Sequence, residues 1–403
     1  MGIKGFTRLL LLAGVLSSSS GIAAEIHGRS STQLSWFNNY YNDHRQVELG
    51  EYLRTSVTNL DKEGKASIYG YGRITQDLNN GDGFNSRLYY LYGEYRDFYD
   101  KVDFRLGRQF VNSAAGTAII DGGQIDLKNV GPVALSVFGG RDVIFGLENE
   151  SSQSGAYAFG AAAYLHGFKS TDLELSWFRK WDRWDISRDI LGASFKQYLF
   201  NSLRLYGNTR FDLVTETFNE VLAGVKYFPM SNLVLTGEWY QSYPTFDTTS
   251  IYSVFAVDRY QEAVFRADYT INDKITVNGG YTAQFFEDGG KGHIYRLGCS
   301  VRPVEPLLIN VEYDNNQGYN GSTNGIIVDA YYDVTKALQV AAGLAHDVYQ
   351  RDGMADDEIA RVYWLGGKYR LAKNMQASLR VENNVNAQYE NDTQGRFVFD
   401  YDF

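Results

Sequence analysis

Polar and apolar side chains alternate with a period of two through most of the chain, most cleanly in its second half. Leu203, Leu205, Gly207, Thr209 and Phe211 share one parity, and Arg204, Tyr206, Asn208, Arg210 and Asp212 the other. Successive side chains of a strand point to opposite faces, so this segment is a strand with one greasy and one wet face. The same rule sorts Val221, Ala223, Val225 and Tyr227 from Glu220 and Lys226, and Leu233, Leu235 and Trp239 from Thr236, Glu238 and Tyr240. It sorts Ala263, Phe265, Ala267 and Tyr269 from Glu262, Arg266 and Asp268, and Leu307, Ile309, Val311 and Tyr313 from Asn310, Glu312 and Asp314. Further on, Met375, Ala377, Leu379 and Val381 stand against Gln376, Ser378, Arg380 and Glu382. One amphipathic strand says little, but a long series in step with turn signals says much.

Those turn signals, rich in Asn, Asp, Gly, Pro and Lys, fall at 61–64, 100–101, 129–132, 169–172, 200–202, 229–232, 272–273, 303–306, 335–337 and 372–374. Their spacing of about 30 to 40 residues fits two strands of roughly 10 to 13 residues and a loop. Strands of that length cross a bilayer when tilted. The fold class predicted is all-β: a transmembrane, antiparallel up-and-down barrel of about 22 strands, within a range of 16 to 22. The opposite connections are expected near 40–46, 78–85, 111–122, 141–155, 183–187, 244–257, 287–292, 317–324, 351–358 and 390–394. None is long enough to make a plug.

Composition agrees with a barrel rather than a helical membrane protein. The mean hydropathy is −0.33, and no stretch after the first 24 residues is continuously apolar. Aromatic residues nevertheless make up 15% of the chain, beside 41 Gly and only 5 Pro. A strand with one face in lipid, one in water and rings at both interfaces has this composition. The wet faces would line the lumen. Candidate lining residues are Arg204, Arg210, Asp212, Glu220, Lys226, Glu238, Glu262, Arg266, Asp268, Arg296, Glu312, Asp314, Lys368, Arg370, Arg380 and Glu382, with Glu174, Asp329 and Asp333 beside them. Charge of both signs inside a barrel is tolerable where the interior is wet or paired.

Both ends of the chain carry a message. Lys4 and Arg8 precede an apolar run from Leu9 to Leu16 and a small-residue exit ending at Ala23 and Ala24. That is a secretory leader over residues 1–24, which leaves 25–403 for the barrel. No Cys stands at the cleavage site, so no lipoprotein anchor is expected. The net charge is −10, and loss of Lys4 and Arg8 makes the exported chain more acidic still, which argues against nucleic acid as a partner. The final residues place Phe397, Phe399, Tyr401 and the terminal Phe403 on one face of a strand. Such an ending resembles the closing strand of bacterial outer-membrane β-barrels. The resemblance implies that these four residues are a signal read by the barrel-assembly machinery, that both termini are periplasmic, and that the chain sits among outer-membrane lipid.

A second resemblance is internal. Leu106-Gly107-Arg108-Gln109-Phe110, then Ile120-Asp121-Gly122-Gly123, then Phe138-Gly139-Gly140-Arg141, looks like the early strands of porin-like outer-membrane families. In those families a Gly-Arg-Gln strand precedes an inward loop. The resemblance implies that 111–119, with Val111, Ala114, Ala115 and Gly116, folds inward as a constriction.

Catalytic patterns are missing. His27, His44, His166, His293 and His346 are scattered, with no His-x-x-x-His pair. No nucleophile elbow, phosphate loop or C-x-x-C-H is present. A rim-site barrel enzyme would have to use His166 or His346, and a solvated His is the simpler account. The run from Asp77 to Gly83 holds oxygen ligands but lacks the terminal Glu of a calcium loop, so a polar hairpin loop is expected. Cys299 cannot pair within the chain and shares the apolar parity of Leu297 and Val301. No cofactor is expected. The leading reading is a channel for small hydrophilic solutes or ions, not an enzyme. The alternative resembles porin–cytochrome conduits, in which the barrel sheathes a periplasmic multihaem cytochrome. A polysaccharide-export pore is a further reading, weakened by the lack of a helical-repeat domain.

Overall fold

A computed structural model describes residues 24–39, 44–81, 83–146, 154–245, 258–318, 321–351 and 356–403. Residues 1–23 of the expected leader at 1–24 lie outside the described residues, as do the tips of several expected loops. The strands in chain order are β1 Glu25–Asn39, β2 His44–Thr58, β3 Ala66–Asp77, β4 Asn85–Phe98, β5 Val102–Ser113, β6 Gly116–Val130, β7 Val133–Asp142, β8 Tyr157–Phe168, β9 Thr171–Asp182, β10 Asp185–Leu199 and β11 Leu203–Asp212. They continue as β12 Thr217–Met230, β13 Leu233–Ser242, β14 Tyr260–Asn272, β15 Ile275–Phe286, β16 Lys291–Val304, β17 Leu307–Gly318, β18 Gly321–Asp333, β19 Leu338–Arg351, β20 Glu358–Ala372, β21 Met375–Val385 and β22 Asp392–Asp402.

Each strand pairs antiparallel with the next, and β1 pairs with β22, so the 22-stranded sheet closes on itself. At the seam Thr32 lies opposite Phe399 and Arg29 opposite Asp402. Phe403 extends the seam with two backbone hydrogen bonds to Gly28, at 2.9 and 3.0 Å. Its ring covers Gly28 so closely that a Cβ there would sit 2.4 Å from it. The start of β1 and the C-terminus therefore meet at one end of the barrel, its termini side.

Register sorts the side chains as the sequence pattern predicts. The apolar parity faces outward, with Leu106, Leu297 and Leu365 each more than 60% exposed. Leucines left that open would be costly in water, and in a bilayer they are at home. Tyr227, Tyr269, Tyr332, Tyr369 and Tyr401 sit outward near the strand ends beside the termini, and Trp36, Trp239, Tyr313 and Tyr363 sit outward higher up. These are the two aromatic girdles of a membrane-spanning barrel. Cys299 is outward, between Leu297 and Val301.

Most connections on the termini side are turns of two or three residues. Lys169 and Ser170 both take positive φ, 50° and 61°, and so do Phe200 and Asn201, at 53° and 56°. A pair of left-handed residues matches the twist of a tight hairpin. One reversal carries no sequence signal: the chain turns at 213–216, through Leu, Val, Thr and Glu. Asp212 makes it possible, because its carboxylate accepts the backbone N–H groups of Val214 and Thr215 at 2.8 and 3.3 Å. Asp77 does the same for Asn79 and Asn80, so the oxygen-rich run after it is a self-capped loop.

Removal of Phe403 opens the lower seam by two hydrogen bonds and a ring. A chain ending at Asp402 should still form strands but lose its compact band on unheated gels at a temperature several degrees lower than the full chain. An unchanged heat-modifiability curve would show that the seam does not need this residue.

Candidate functional site

The wall is not uniform. Pairing of β4 with β5 stops at Leu91 and Arg108, and pairing of β6 with β7 stops at Ile120 and Asp142. Pairing of β5 with β6 continues to Ser113 and Gly116, with a turn at Ala114 and Ala115. Residues 109–119 thus form a two-stranded ribbon without lateral strand partners. The expected loop at 111–122 is instead two strands and a two-residue turn, because the ribbon satisfies its own backbone groups.

Glycines let it leave the wall. Gly107 has φ 128°, and a Cβ there would lie 2.4 Å from the Leu91 carbonyl oxygen. A Cβ on Gly122 would lie 2.1 Å from the Gly139 carbonyl oxygen. At the bend Arg108 grips Asp121 with two hydrogen bonds, at 2.7 and 2.9 Å.

The tip rests on the inner faces of β9, β10 and β11. Ala114 N–H donates to Glu174, Ala115 N–H donates to Ser176 at 2.9 Å, and Arg210 Nε donates to the Ala114 carbonyl at 2.9 Å. Glu174, Ser176 and Arg210 all have the inward parity, so the ribbon lies inside the lumen. A Cβ on Gly192 would fall 2.1 Å from Ala115 N, and one on Gly116 would fall 2.8 Å from the Phe178 ring. Beneath the ribbon, Val111, Ala115, Ala118 and Ile120 pack against Phe138, Ala158, Phe178 and Ile190, all at most 9% exposed. A fully buried Val, Ile or Phe side chain contributes roughly 1.5–3 kcal/mol, against about 1 kcal/mol for a hydrogen bond. The apolar contact therefore dominates, and the ribbon is a fixed part of the inner wall. Its other face turns Phe110, Asn112 and Thr117 to the open lumen.

The opening left behind is bridged. The segment after β7 crosses to β4, where Arg87 donates to the Gly146 carbonyl at 2.7 Å and stacks on Phe145 at 4.8 Å. Tyr89 meets the same ring edge-on at 5.8 Å.

All sixteen predicted lining residues take the inward parity. Some are tied to the wall: Arg210 to Glu220 at 3.1 Å, Arg266 to Glu238 at 2.8 Å, and Arg380 to Glu382 at 3.1 Å. Asp212 accepts from Thr245 at 2.9 Å, Tyr260 donates to Glu262, and Arg204 stacks on Tyr206 at 5.4 Å. Lys226, Asp268, Arg296, Glu312, Asp314, Lys368 and Arg370 make no ion pair within 4 Å among the described residues, and face the lumen as free charges. Of the histidines considered for a rim site, His166 stacks on Tyr164 and lies 3.8 Å from Asp172, while His346 has the outward parity. Phe397, Phe399 and Tyr401 line the outer face of β22, as their alternation requires. Sequence reasoning missed Ser176 and Gly192, since neither a serine nor a glycine in a strand announces that a ribbon will dock on it.

A cylinder of 22 tilted strands measures about 40 Å between opposite backbones. Among the described residues no segment crosses that width. This closed sheet, apolar without and charged within, defines the class: the protein is a transmembrane β-barrel of the outer-membrane type. No family model and no curated protein matches the chain. Among solved structures it is similar to a mutant form of the ferric enterobactin receptor PfeA of Pseudomonas aeruginosa, with TM-score 0.62 and 11% identity over 96% of this chain and 81% of that one. It is also similar to the outer membrane protein OpdK of the same organism, with TM-score 0.48 and 9% identity over 95% of this chain and 100% of that one. At 11% identity the likeness to the receptor is one of fold alone.

Substituting Gly192→Val drives two methyl groups into the Ala115 backbone, at a cost of about 1–3 kcal/mol. The ribbon should lift off β10 while the barrel stays closed. A cysteine at position 118, buried beneath the ribbon, should then react faster with a lumen-permeant thiol reagent than in the Gly192 parent. Equal rates would show that the ribbon is not seated on this glycine.

Proposed function

We propose that the protein is an outer-membrane channel for small hydrophilic solutes or ions, with the 109–119 ribbon as its constriction. What carries this reading is a continuous lumen lined by free charges of both signs and narrowed, not filled, by a well-packed ribbon. Charges of that kind are tolerable only against water. Selectivity in such a pore is set at its narrowest ring, where Phe110, Asn112 and Thr117 face the opposite wall. In this reading residues 1–24 are a cleaved leader, the shared end of the termini is periplasmic, and Phe397, Phe399, Tyr401 and Phe403 are read by the assembly machinery. Outer-membrane lipid surrounds the belt. No catalytic role is proposed.

One observation favours a second reading. A bore near 40 Å between backbones, less one ribbon, leaves room for a protein occupant. A multihaem cytochrome sheathed by this barrel would pass electrons rather than solutes.

Purification from outer membranes in mild detergent separates the two. A channel should be isolated free of haem absorbance and should give stepwise conductance in planar bilayers, and Gly192→Val should raise the step size. Stoichiometric copurification of a haem protein, with no conductance until it is stripped, would overturn the channel in favour of the sheath.

A further inference from the structure

The lumen wall from β21 through β22 and β1 to β4 carries an arrangement that no turn, seam or constriction explains. Three times it sets arginine directly opposite arginine on neighbouring strands: Arg29 with Arg54, Arg73 with Arg87, and Arg380 with Arg396. Like charges directly opposite destabilise a sheet. In each pair one member is compensated. Arg29 is bidentate to Asp402 at 2.6 and 3.0 Å, Arg380 is paired with Glu382 at 3.1 Å, and Arg87 has the Gly146 carbonyl and the Phe145 ring. The other member is not. Arg54 makes no hydrogen bond or ion pair with a described residue. Arg73 bonds the Tyr52 hydroxyl and feels the Glu48 charge without forming an ion pair with a described residue, and its Nε is buried without a partner. Arg396 donates only to Gln33.

Tyrosines are interleaved with these guanidiniums. Arg54 lies opposite Tyr71, and Tyr52 opposite Arg73. Tyr71 lies opposite Tyr90 and stacks on Tyr89 at 4.8 Å with 18° between planes. Arg54, Arg396, Tyr52, Tyr71 and Tyr90 line a common recess of about 650 Å³, together with Arg29 and a single carboxylate, Asp400. That volume suits a small molecule. The recess lies along the middle of its strands, within the lumen that the ribbon narrows.

We propose that this wall is a binding site for small organic anions: the carboxylate is held by the uncompensated Arg54 and Arg396, and a flat body lies along Tyr52, Tyr71 and Tyr90. Guanidinium forks match a carboxylate and tyrosine faces match a ring. An anion there offsets the repulsion that the Arg29–Arg54 and Arg380–Arg396 pairs otherwise leave in place. The inference deepens the channel reading by naming a solute class, but its first test does not need conduction.

Benzoate titrated into the detergent-solubilised barrel in a calorimeter should bind, while benzyl alcohol, which has the ring without the charge, should not. Arg54→Gln with Arg396→Gln should weaken benzoate binding at least tenfold. Tyr71→Leu should weaken benzoate more than it weakens acetate. Arg302→Gln, a lumen cation near the termini end, should leave benzoate binding unchanged, and a compact unheated band on gels checks that each variant is folded. In planar bilayers benzoate should reduce potassium chloride current, and the double variant should move the reversal potential toward cations. Absence of benzoate binding, binding untouched by the double substitution, or inorganic phosphate binding as tightly as benzoate would overturn the assignment. Calorimetric binding with no conductance would leave the site standing and remove the channel.

Discussion

A backbone in hydrocarbon has no water to bond to, so every N–H and C=O must find a partner within the protein. Twenty-two strands meet that demand only because the first finds the last. The pairing of β1 with β22, from Arg29 opposite Asp402 to Trp36 opposite Gly395, removes the edge that any open sheet would present to lipid. The sorting of leucines outward and charges inward, and the existence of a lumen at all, follow from that closure. A seam left open would strand a row of unpaired groups in the bilayer and expose the charged face beside them.

Closure at this strand number creates a second problem, a wide hole. The molecule answers it with material borrowed from the wall. The ribbon at 109–119 gives up lateral pairing on both sides, and what replaces it is an apolar patch inside an otherwise wet cylinder. Phe138, Ala158, Phe178 and Ile190 are inward-facing yet buried, and only the docked ribbon makes sense of them. Gly192 and Gly116 are small because the two layers touch at close range. The same departure explains why the segment after Asp142 reaches across to Arg87 and Tyr89.

Charge inside the barrel acts in two ways. Where ions of opposite sign face each other, as at Arg210 and Glu220 or Arg266 and Glu238, they stiffen the wall. Where they do not, as along β17 to β19 and at Arg54 and Arg396, they act on whatever occupies the water. That contrast is invisible to any count of charged residues, since it depends on which strand lies beside which.

The chain's alternation of parity, its turn spacing and its aromatic ending determine a closed antiparallel barrel, a strand number near 22 and the inward set from Arg204 to Glu382, because a two-residue period is a local property of strands. The first third is less legible. Ser30, Thr32 and Glu51 are polar on the outward face, where the two hydroxyls donate to the carboxylate at 2.5 and 2.6 Å, so polarity marks neither side and the wall of arginines and tyrosines does not stand out. The resemblance around Gly107 and Arg108 pointed to an inward segment, but nothing local says that it stays paired as strands or where it lands. Only the tertiary structure decides that, since docking depends on Ser176, Gly192 and Arg210, three residues distant in sequence that closure of the cylinder brings under one turn.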